Sequence, residues 1–222
     1  MNQRPARNHP PAIPFVVLGT LPLGERDTLL RIVEPRAGTL SIVLRNARTP
    51  LKGKSSWRTL DLFDRASGSL TIRPARIPTL NSFDRLPSFA SLRTDLTKFG
   101  AASALAESAL LLFGEQSEAD SQLYDQVIHY LSAIDTASSP RDTLKELTRG
   151  LVNLLLLSGF GAPHGEDGGS VWTGASPACI KTLTPTPRML RQAIAAIERS
   201  TQKELRTSST ISRILATLSL RE

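Results

Sequence analysis

The hydrophobic pattern of the chain changes its period once, close to Pro87, and this change divides the sequence into two parts. Before it, short apolar runs alternate with polar residues and are separated by Gly and Pro, which is typical of β-strands. After it, apolar residues recur at spacings of three and four, which indicates amphipathic helices. The sequence therefore predicts an α+β fold in which the strands precede the helices.

Five strands are predicted in the N-terminal part, with turn residues such as Gly24 and Gly38 between them. In the third strand Leu40, Ile42 and Leu44 occupy alternate positions, so we expect one buried face and one face in water. Five strands in about 65 residues favour a small closed barrel, because closure removes the exposed edges of a sheet. We predict an OB-fold, with an SH3-like barrel as the alternative. The predicted strands are residues 15–20, 28–34, 39–47, 59–66 and 69–77.

The C-terminal part is predicted to be an all-α domain. Its clearest helix begins after Ser139 as N-cap, has Pro140 in the first turn and stops at Gly159. A weak point is expected at Gly100 in the first helix. The predicted helices are residues 88–114, 120–134, 139–159, 187–199 and 203–220. The predicted domains are a disordered leader at 1–12, the OB-fold at 13–80, and the helical domain at 81–222 with a Gly-rich loop at 159–178.

Hydrophobicity and cysteine content limit the class of protein. With 222 residues, 40% of them hydrophobic and 21% charged, the chain is typical of globular proteins. Its longest apolar stretch, residues 150–161, is too short to span a bilayer, and no signal peptide is expected. Cys179 is the only cysteine, which excludes an internal disulfide and a multi-cysteine zinc site. We predict a cytoplasmic protein without a membrane partner.

Positive charge is concentrated in the N-terminal part. Residues 1–80 carry 13 Lys and Arg against 5 Asp and Glu, a net charge of +8, whereas residues 81–222 carry 14 against 15, a net charge of −1. This asymmetry indicates a module that binds a polyanion joined to a neutral module. The alternative is a domain that is basic without binding one.

One short segment, residues 45–60, holds five basic side chains and no acidic residue until Asp61. Several such side chains on one surface neutralise phosphates and release counterions, so we predict a nucleic-acid site, with a solvated loop as the alternative. Trp57 in this segment could stack on a base, but a buried position is the preferred interpretation. The predicted DNA-binding residues are Arg45, Arg48, Lys52, Lys54 and Arg58 of the segment, and Arg31, Arg73 and Arg76 on strands or strand ends.

No motif in the sequence predicts catalysis. Phosphate-binding loops, nucleophile elbows and paired metal-binding histidines are absent. His164, Glu166 and Asp167 lie close together in the Gly-rich loop, where a polar loop is preferred to a metal site, and Cys179 is interpreted as a small buried side chain. We therefore predict a non-enzymatic protein with no cofactor and no metal.

A partner site is predicted on the third helix. Lys145 and Arg149 are four residues apart and therefore share a helix face, beside an apolar surface. A positive rim next to an apolar groove can receive an acidic–aromatic peptide. A solvent-facing stripe is the alternative.

The order of these pieces resembles the bacterial RecO family of recombination mediators. The matching stretches are "VVLGTLPLGERDTLLRIV", "GTLSIVLRNARTPLKGKS" and "WRTLDLFDRASGSLTIRPA", followed by "LTRGLVNLLLLSGFGAP". In that family an opening strand precedes a Gly/Ser-Glu turn, and a later strand ends in a basic hook. Arg45 and Arg48 match the hook, although Arg45-Asn46 replaces the usual Lys-Gly, and Arg149 matches a basic position before an "LL…GY" run.

The resemblance implies a protein that binds single- and double-stranded DNA and anneals complementary strands. It also implies partnership with RecR, contact with the acidic C-terminal tail of single-stranded DNA-binding protein, and help in loading RecA onto DNA covered by that protein. RecF and RecA are further candidate partners, and association with the nucleoid is expected. Many relatives carry a four-cysteine zinc site, which this chain lacks because only Cys179 is present. The rivals are a generic OB-fold protein that binds single-stranded DNA or RNA, a protein-interaction scaffold, and, less favoured, an enzyme that uses the His164 loop.

Overall fold

The computed structural model describes residues 11–48, 59–115, 121–160, 180 and 184–219. Within these ranges the strands precede the helices, as the change of period predicts. The strands are β1 Ile13–Leu23, β2 Asp27–Glu34, β3 Gly38–Leu44, β4 Arg65–Arg73 and β5 Arg76–Arg85. The helices with described bounds are α1 Leu96–Leu112, α2 Ser121–Thr136, α3 Pro140–Leu157, α4 Pro187–Thr201 and α5 Ser208–Ser219.

The five strands close into a barrel in the order β1-β2-β3-β5-β4, with β4 returning to β1. β3 and β5 run parallel, whereas β1–β2, β1–β4 and β4–β5 are antiparallel. This confirms the predicted OB-fold followed by a helical part. The barrel interior consists of buried apolar side chains contributed by every strand. They include Phe15, Val17, Leu30, Ile32, Leu40, Ile42, Leu44, Leu70 and Leu80.

The last two strands lie further along the chain than predicted. The predicted strand at 59–66 is wrong, because β4 begins only at Arg65, after a turn at residues 62–63 that is flanked by a hydrogen bond from the Asp61 amide to the Asp64 carboxylate at 2.9 Å. Aspartate side chains favour such local bonds to the backbone over strand pairing. The predicted strand at 69–77 is also wrong, since the hairpin turn at Pro74–Ala75 interrupts it.

The predicted alternation of buried and exposed residues fails in two strands. All of β3 is buried, including Ser41 and Val43, which were expected to face water. The same alternation would bury Ile72 together with Leu70, but Ile72, close to the β4–β5 hairpin turn, has 74% of its surface exposed. A period of two identifies the two faces of a strand, but the neighbouring elements decide which face is covered.

The helix ends follow the capping signals closely. α3 begins after Ser139, whose side chain accepts the Asp142 amide, and Gly159 after its end adopts φ +78°. α1 begins only after Asp95, whose carboxylate accepts the Lys98 amide, so the predicted start at residue 88 is wrong. α1 continues through Gly100 without interruption. α5 begins at residue 208 rather than 203.

Gly150 allows α3 to pack closely against the two preceding helices. A Cβ at this position would lie 2.8 Å from Leu105 Cδ1 of α1 and 3.1 Å from Tyr130 Cγ of α2. Both distances are shorter than ordinary van der Waals contact, so the absence of a side chain is a packing requirement. Leu105 and Tyr130 are themselves buried.

The described part of the chain divides into two compact units. Residues from 1–34 and 40–88 form one, and residues from 35–39 and 89–222 form the other. β5 continues to Arg85, past the predicted domain boundary at residue 80. Among the described residues, no helix combines the length and the apolar character needed to cross a membrane.

Candidate nucleic-acid interface

Three of the predicted DNA-binding arginines line one concavity of about 250 Å³ on the barrel. They are Arg45, Arg73 and Arg76. Arg73 and Arg76 are paired in register across the β4–β5 hairpin turn. Arg45 directly follows β3, whose Leu44 is paired with Leu80 of β5. The parallel pairing of β3 with β5 therefore brings the start of the basic segment to the β4–β5 hairpin.

The alternation of side chains explains why these arginines face outward. Leu44 and Leu80 belong to the buried core, so Arg45 and Asn81, the next residues on their strands, lie on the opposite side. Thr79, one residue before Leu80, also faces the concavity. The sequence thus builds an inner layer of leucines beneath an outer layer of polar and cationic side chains.

The concavity is strongly electropositive. Arg45, Arg73 and Arg76 are exposed, and no carboxylate is among the residues that line it. Among the described residues none of the three forms an ion pair. Three like charges on one surface repel one another, and a bound polyanion removes that repulsion.

Polar side chains without charge complete the floor of the concavity. The Asn81 Nδ2 amide donates to Thr71 Oγ1 at 2.8 Å, and Thr71 is paired in register with Thr79. Amide and hydroxyl groups of this kind hydrogen-bond phosphate and sugar oxygens in protein–nucleic acid interfaces. The sequence pattern did not reveal them, because β5 contains too few apolar residues to be recognised as a strand.

Arg48 has a structural role beside this surface. Its amide donates to the Arg26 carbonyl at 3.0 Å, and its Nη1 donates to the Gly24 carbonyl at 3.4 Å. The Asn46 amide donates to Asp27 Oδ1 at 2.9 Å. These bonds attach the end of β3 to the β1–β2 turn, so that Arg45 is held in place by its neighbours.

Arg31, a further predicted DNA-binding residue, does not line the concavity. Arg31 lies on β2, half-buried and paired in register with Gly19. Its neighbours Leu30 and Ile32 are in the core, so Arg31 is on the outer side of the barrel. Three more predicted DNA-binding residues, Lys52, Lys54 and Arg58, lie outside the described residues, as does Trp57.

A second surface, which we call the helical groove, lies in the helical unit. It has a volume of about 260 Å³ and an apolar floor that includes Leu144, Leu190 and Leu215. Its rim carries three exposed cations, which are Arg141, Lys145 and Arg191. The sequence analysis did not predict Arg141 or Arg191. Arg191 lies on α4 and joins the rim only through tertiary packing, whereas Arg141 lies on α3 four residues before Lys145, a spacing that could have revealed it.

Lys145 and Arg149 are separated by the structure. Lys145 lines the helical groove, and its Nζ donates to Asp142 Oδ1 at 3.0 Å. Arg149 does not line the groove and forms an ion pair with Glu146 on its own helix. Burial, followed by the nearby Glu146 carboxylate, raises the pKa of Tyr130 to about 12, while Arg149 acts in the opposite direction.

Asp142 remains ionised beside Lys145 at all ordinary pH values. The Ser139 hydroxyl, first of all, and then Lys145 and Ser138 donate hydrogen bonds to its carboxylate and lower its pKa to about 2. The Ser139 bond is 2.6 Å long and also holds the start of α3. Asp142 therefore offsets part of the positive charge at this side of the groove.

Within the described ranges, no three His, Cys, Asp or Glu side chains are close enough together to hold a metal ion. The predicted loop residues His164, Glu166 and Asp167, and Cys179, lie outside the described residues.

Comparison with curated proteins identifies similar sequences. The chain is 31% identical to DNA repair protein RecO of Synechococcus sp. (strain JA-2-3B'a(2-13)) over 146 residues, 63% of this chain and 51% of the relative. It is 28% identical to DNA repair protein RecO of Gloeothece citriformis over 145 residues, 65% of this chain and 50% of the relative. It is 31% identical to DNA repair protein RecO of Prochlorococcus marinus (strain MIT 9303) over 150 residues, 65% and 54% of the two chains.

These similarities support a RecO family protein. The chain spans about half the length of the curated RecO relatives that it matches. No family model matches the sequence. The resemblance of the basic hook and the strand order to the RecO family is thus accompanied by sequence similarity over most of this chain.

Proposed function

We propose that this chain is a RecO-type DNA repair mediator that binds single- and double-stranded DNA and anneals complementary strands. The observation that carries the proposal is the concavity lined by Arg45, Arg73 and Arg76, in which three cations converge without a carboxylate. The name of the curated relatives, DNA repair protein RecO, supports a role in DNA repair.

The proposed mechanism is electrostatic. Arginines that neutralise phosphates release condensed counterions, and this release drives binding without regard to sequence. Two strands held against one cationic surface no longer repel each other strongly, so they can pair at an increased local concentration. Annealing of this kind needs no catalytic group, which agrees with a non-enzymatic protein.

The proposal is tested by the salt dependence of DNA binding. Each arginine that contacts a phosphate of single-stranded DNA contributes about 0.7 to the slope of log K against log salt. Replacing Arg45, Arg73 and Arg76 together with Gln should therefore lower the magnitude of that slope by about 2. The measurement is fluorescence anisotropy of a labelled oligonucleotide with the full chain at several salt concentrations.

A matched control changes the same charge elsewhere. Arg188, Arg199 and Arg213 are exposed on α4 and α5, and their triple replacement with Gln should leave the slope nearly unchanged. Strand annealing, followed by quenching of two labelled complementary strands, should slow only in the barrel variant. An unchanged slope and unchanged annealing in that variant would sink the assignment of these arginines.

We also propose that the helical groove binds an acidic peptide, the C-terminal tail of single-stranded DNA-binding protein. Support comes from its apolar floor beneath the cations Arg141, Lys145 and Arg191. An acidic segment would meet the rim, and an apolar side chain would meet the floor. Arg149, although it matches the family position, lies outside this groove.

The remaining proposed partners follow from the RecO resemblance. RecR and RecF are proposed as protein partners, and loading of RecA onto covered single strands is proposed as the outcome of the reaction. Such a protein would act on DNA at the nucleoid in the cytoplasm. Binding of DNA without any response to the acidic tail would instead favour a generic single-strand-binding protein.

A further inference from the structure

Two isoleucines lie exposed beside the arginines of the barrel concavity. Ile72 and Ile77 have 74% and 49% of their surfaces exposed, and Ile77 itself lines the concavity. Single exposed aliphatic residues are common on protein surfaces. Here, however, two of them occupy the same hairpin as Arg73 and Arg76.

The positions of these isoleucines follow from an irregularity in the pairing of β4 with β5. Thr71 is paired with Thr79 and Arg73 with Arg76, so that Ile72 alone stands opposite Ile77 and the residue after it. The extra residue on β5 makes this a bulge, and bulges turn side chains away from their regular positions. The bulge lies between the buried barrel interior and the hairpin turn, where side chains are open to solvent.

We propose that Ile72 and Ile77 contact the bases of single-stranded DNA while the neighbouring arginines hold its phosphates. This inference rests on the proposed function. A single strand presents an anionic backbone and apolar base faces side by side, which matches arginines beside aliphatic side chains. A duplex hides its base faces by stacking, so the isoleucines would favour unpaired strands.

Charge complementarity distinguishes this occupant from an apolar peptide. The three arginines Arg45, Arg73 and Arg76 line the concavity without a carboxylate, which favours an anionic ligand. No aromatic side chain is among the described residues that line it, so Ile77 supplies its apolar lining, and Ile72 stands opposite Ile77 on β4. The concavity therefore suits a ligand that carries anionic and apolar groups side by side, as a single strand does.

The test compares two strands of equal charge. The full chain is titrated with an oligothymidylate of about 16 nucleotides, the upper end of what one barrel of this kind covers, and with an abasic strand of the same length. The wild type should bind the oligothymidylate more tightly. Replacing Ile72 and Ile77 with Ser should weaken its binding about fivefold to tenfold and leave the abasic strand unaffected.

Two control variants accompany the test. Leu96→Ser changes an equally exposed aliphatic residue of the helical unit, at 77% exposure, and should change neither affinity. Replacing Ile72 and Ile77 with Met keeps the apolar surface and should retain the preference for the base-bearing strand. Thermal unfolding of each variant shows whether the barrel remains folded.

The outcomes separate the inference from the proposed function. If the Ser variant binds both strands equally more weakly, or binds both as tightly as the wild type, the base contact is overturned. The phosphate site still stands in that case if the arginine variant has a smaller salt dependence of DNA binding than the wild type. Loss of discrimination in the Met variant also overturns the base contact. A wild type that binds neither strand overturns both.

Discussion

The helical groove makes the sharpest prediction about partner binding, because its rim residues can be distinguished from a neighbour on the same helix. Lys145 and Arg191 are exposed, lie on different helices, α3 and α4, and both line the groove. Reversing both charges with Lys145→Glu and Arg191→Glu should repel an acidic peptide without altering the floor.

The expected magnitude follows from the exposure of the rim. An exposed ion pair contributes about 0.2 to 1 kcal/mol, because water and salt screen it. Reversal replaces an attraction with a repulsion, so Arg191→Glu should cost about 1 kcal/mol and Lys145→Glu less, and the two changes together should weaken binding about tenfold. The Lys145 contribution lies at the lower end of the range, since Asp142 Oδ1 is only 3.0 Å from its Nζ.

The assay is titration of a labelled copy of the acidic tail, followed by fluorescence anisotropy. Arg199→Glu is the matched control, since Arg199 is exposed on α4 but does not line the groove. Arg149→Gln should also leave the affinity within about twofold, because Arg149 is paired with Glu146 away from the groove. A large loss in Arg149→Gln, with none in the double reversal, would refute the assignment of the groove.

Two further predictions concern the stability of the helical unit. Gly150→Ala should destabilise it by about 1 to 2 kcal/mol, because the clash with Leu105 and Tyr130 exceeds the gain in helix propensity. Gly100→Ala, whose Cβ would meet only side-chain ends at 3.3 Å, should be neutral or stabilising by up to about 0.5 kcal/mol; denaturant unfolding in which both variants shift alike would contradict this. The raised pKa of Tyr130 favours its neutral form in the folded state, so this stabilisation is complete below about pH 10 and is lost as pH rises towards 12. Tyr130→Phe should therefore lose less stability between pH 9 and 12 than the wild type in the same measurement, and equal losses would argue against burial of the phenol.

The sequence predicted the two parts of the fold because local signals were consistent there. The change from a period of two to a period of 3.6 separates strands from helices, and Ser139 with Pro140 identifies the start of α3. Such signals depend on residues a few positions apart. They require no knowledge of the tertiary structure.

Strand positions failed where local chemistry competed with the hydrophobic pattern. The run from Leu60 to Leu62 looks like a strand, but the bonds between Asp61 and Asp64 hold the backbone in a turn. β5 looks unlike a strand because polar residues follow Leu80. β5 forms a strand because it pairs with β3 and β4, although its composition does not favour one. Pairing partners are not evident from the sequence of a single strand.

The candidate site was predicted only in part, because the pairing of distant strands is not evident from the sequence. The excess of positive charge and the basic segment identified Arg45, and positions near strand ends identified Arg73 and Arg76. Only the parallel pairing of β3 with β5 brings them into one concavity. The helix spacing grouped Lys145 with Arg149, whereas in the structure Lys145 lines the helical groove and Arg149 is paired with Glu146.

The two proposed surfaces should respond differently to salt, and this difference follows from their chemistry. The barrel concavity would hold phosphates chiefly through the charge of three arginines, so its affinity for DNA should fall steeply as salt rises. The helical groove combines exposed cations with an apolar floor, and Asp142 offsets part of its charge. Because burial of an apolar side chain is not screened, peptide binding should persist at salt concentrations that release DNA. A chain with both surfaces could therefore remain attached to a protein partner while its contact with DNA is exchanged.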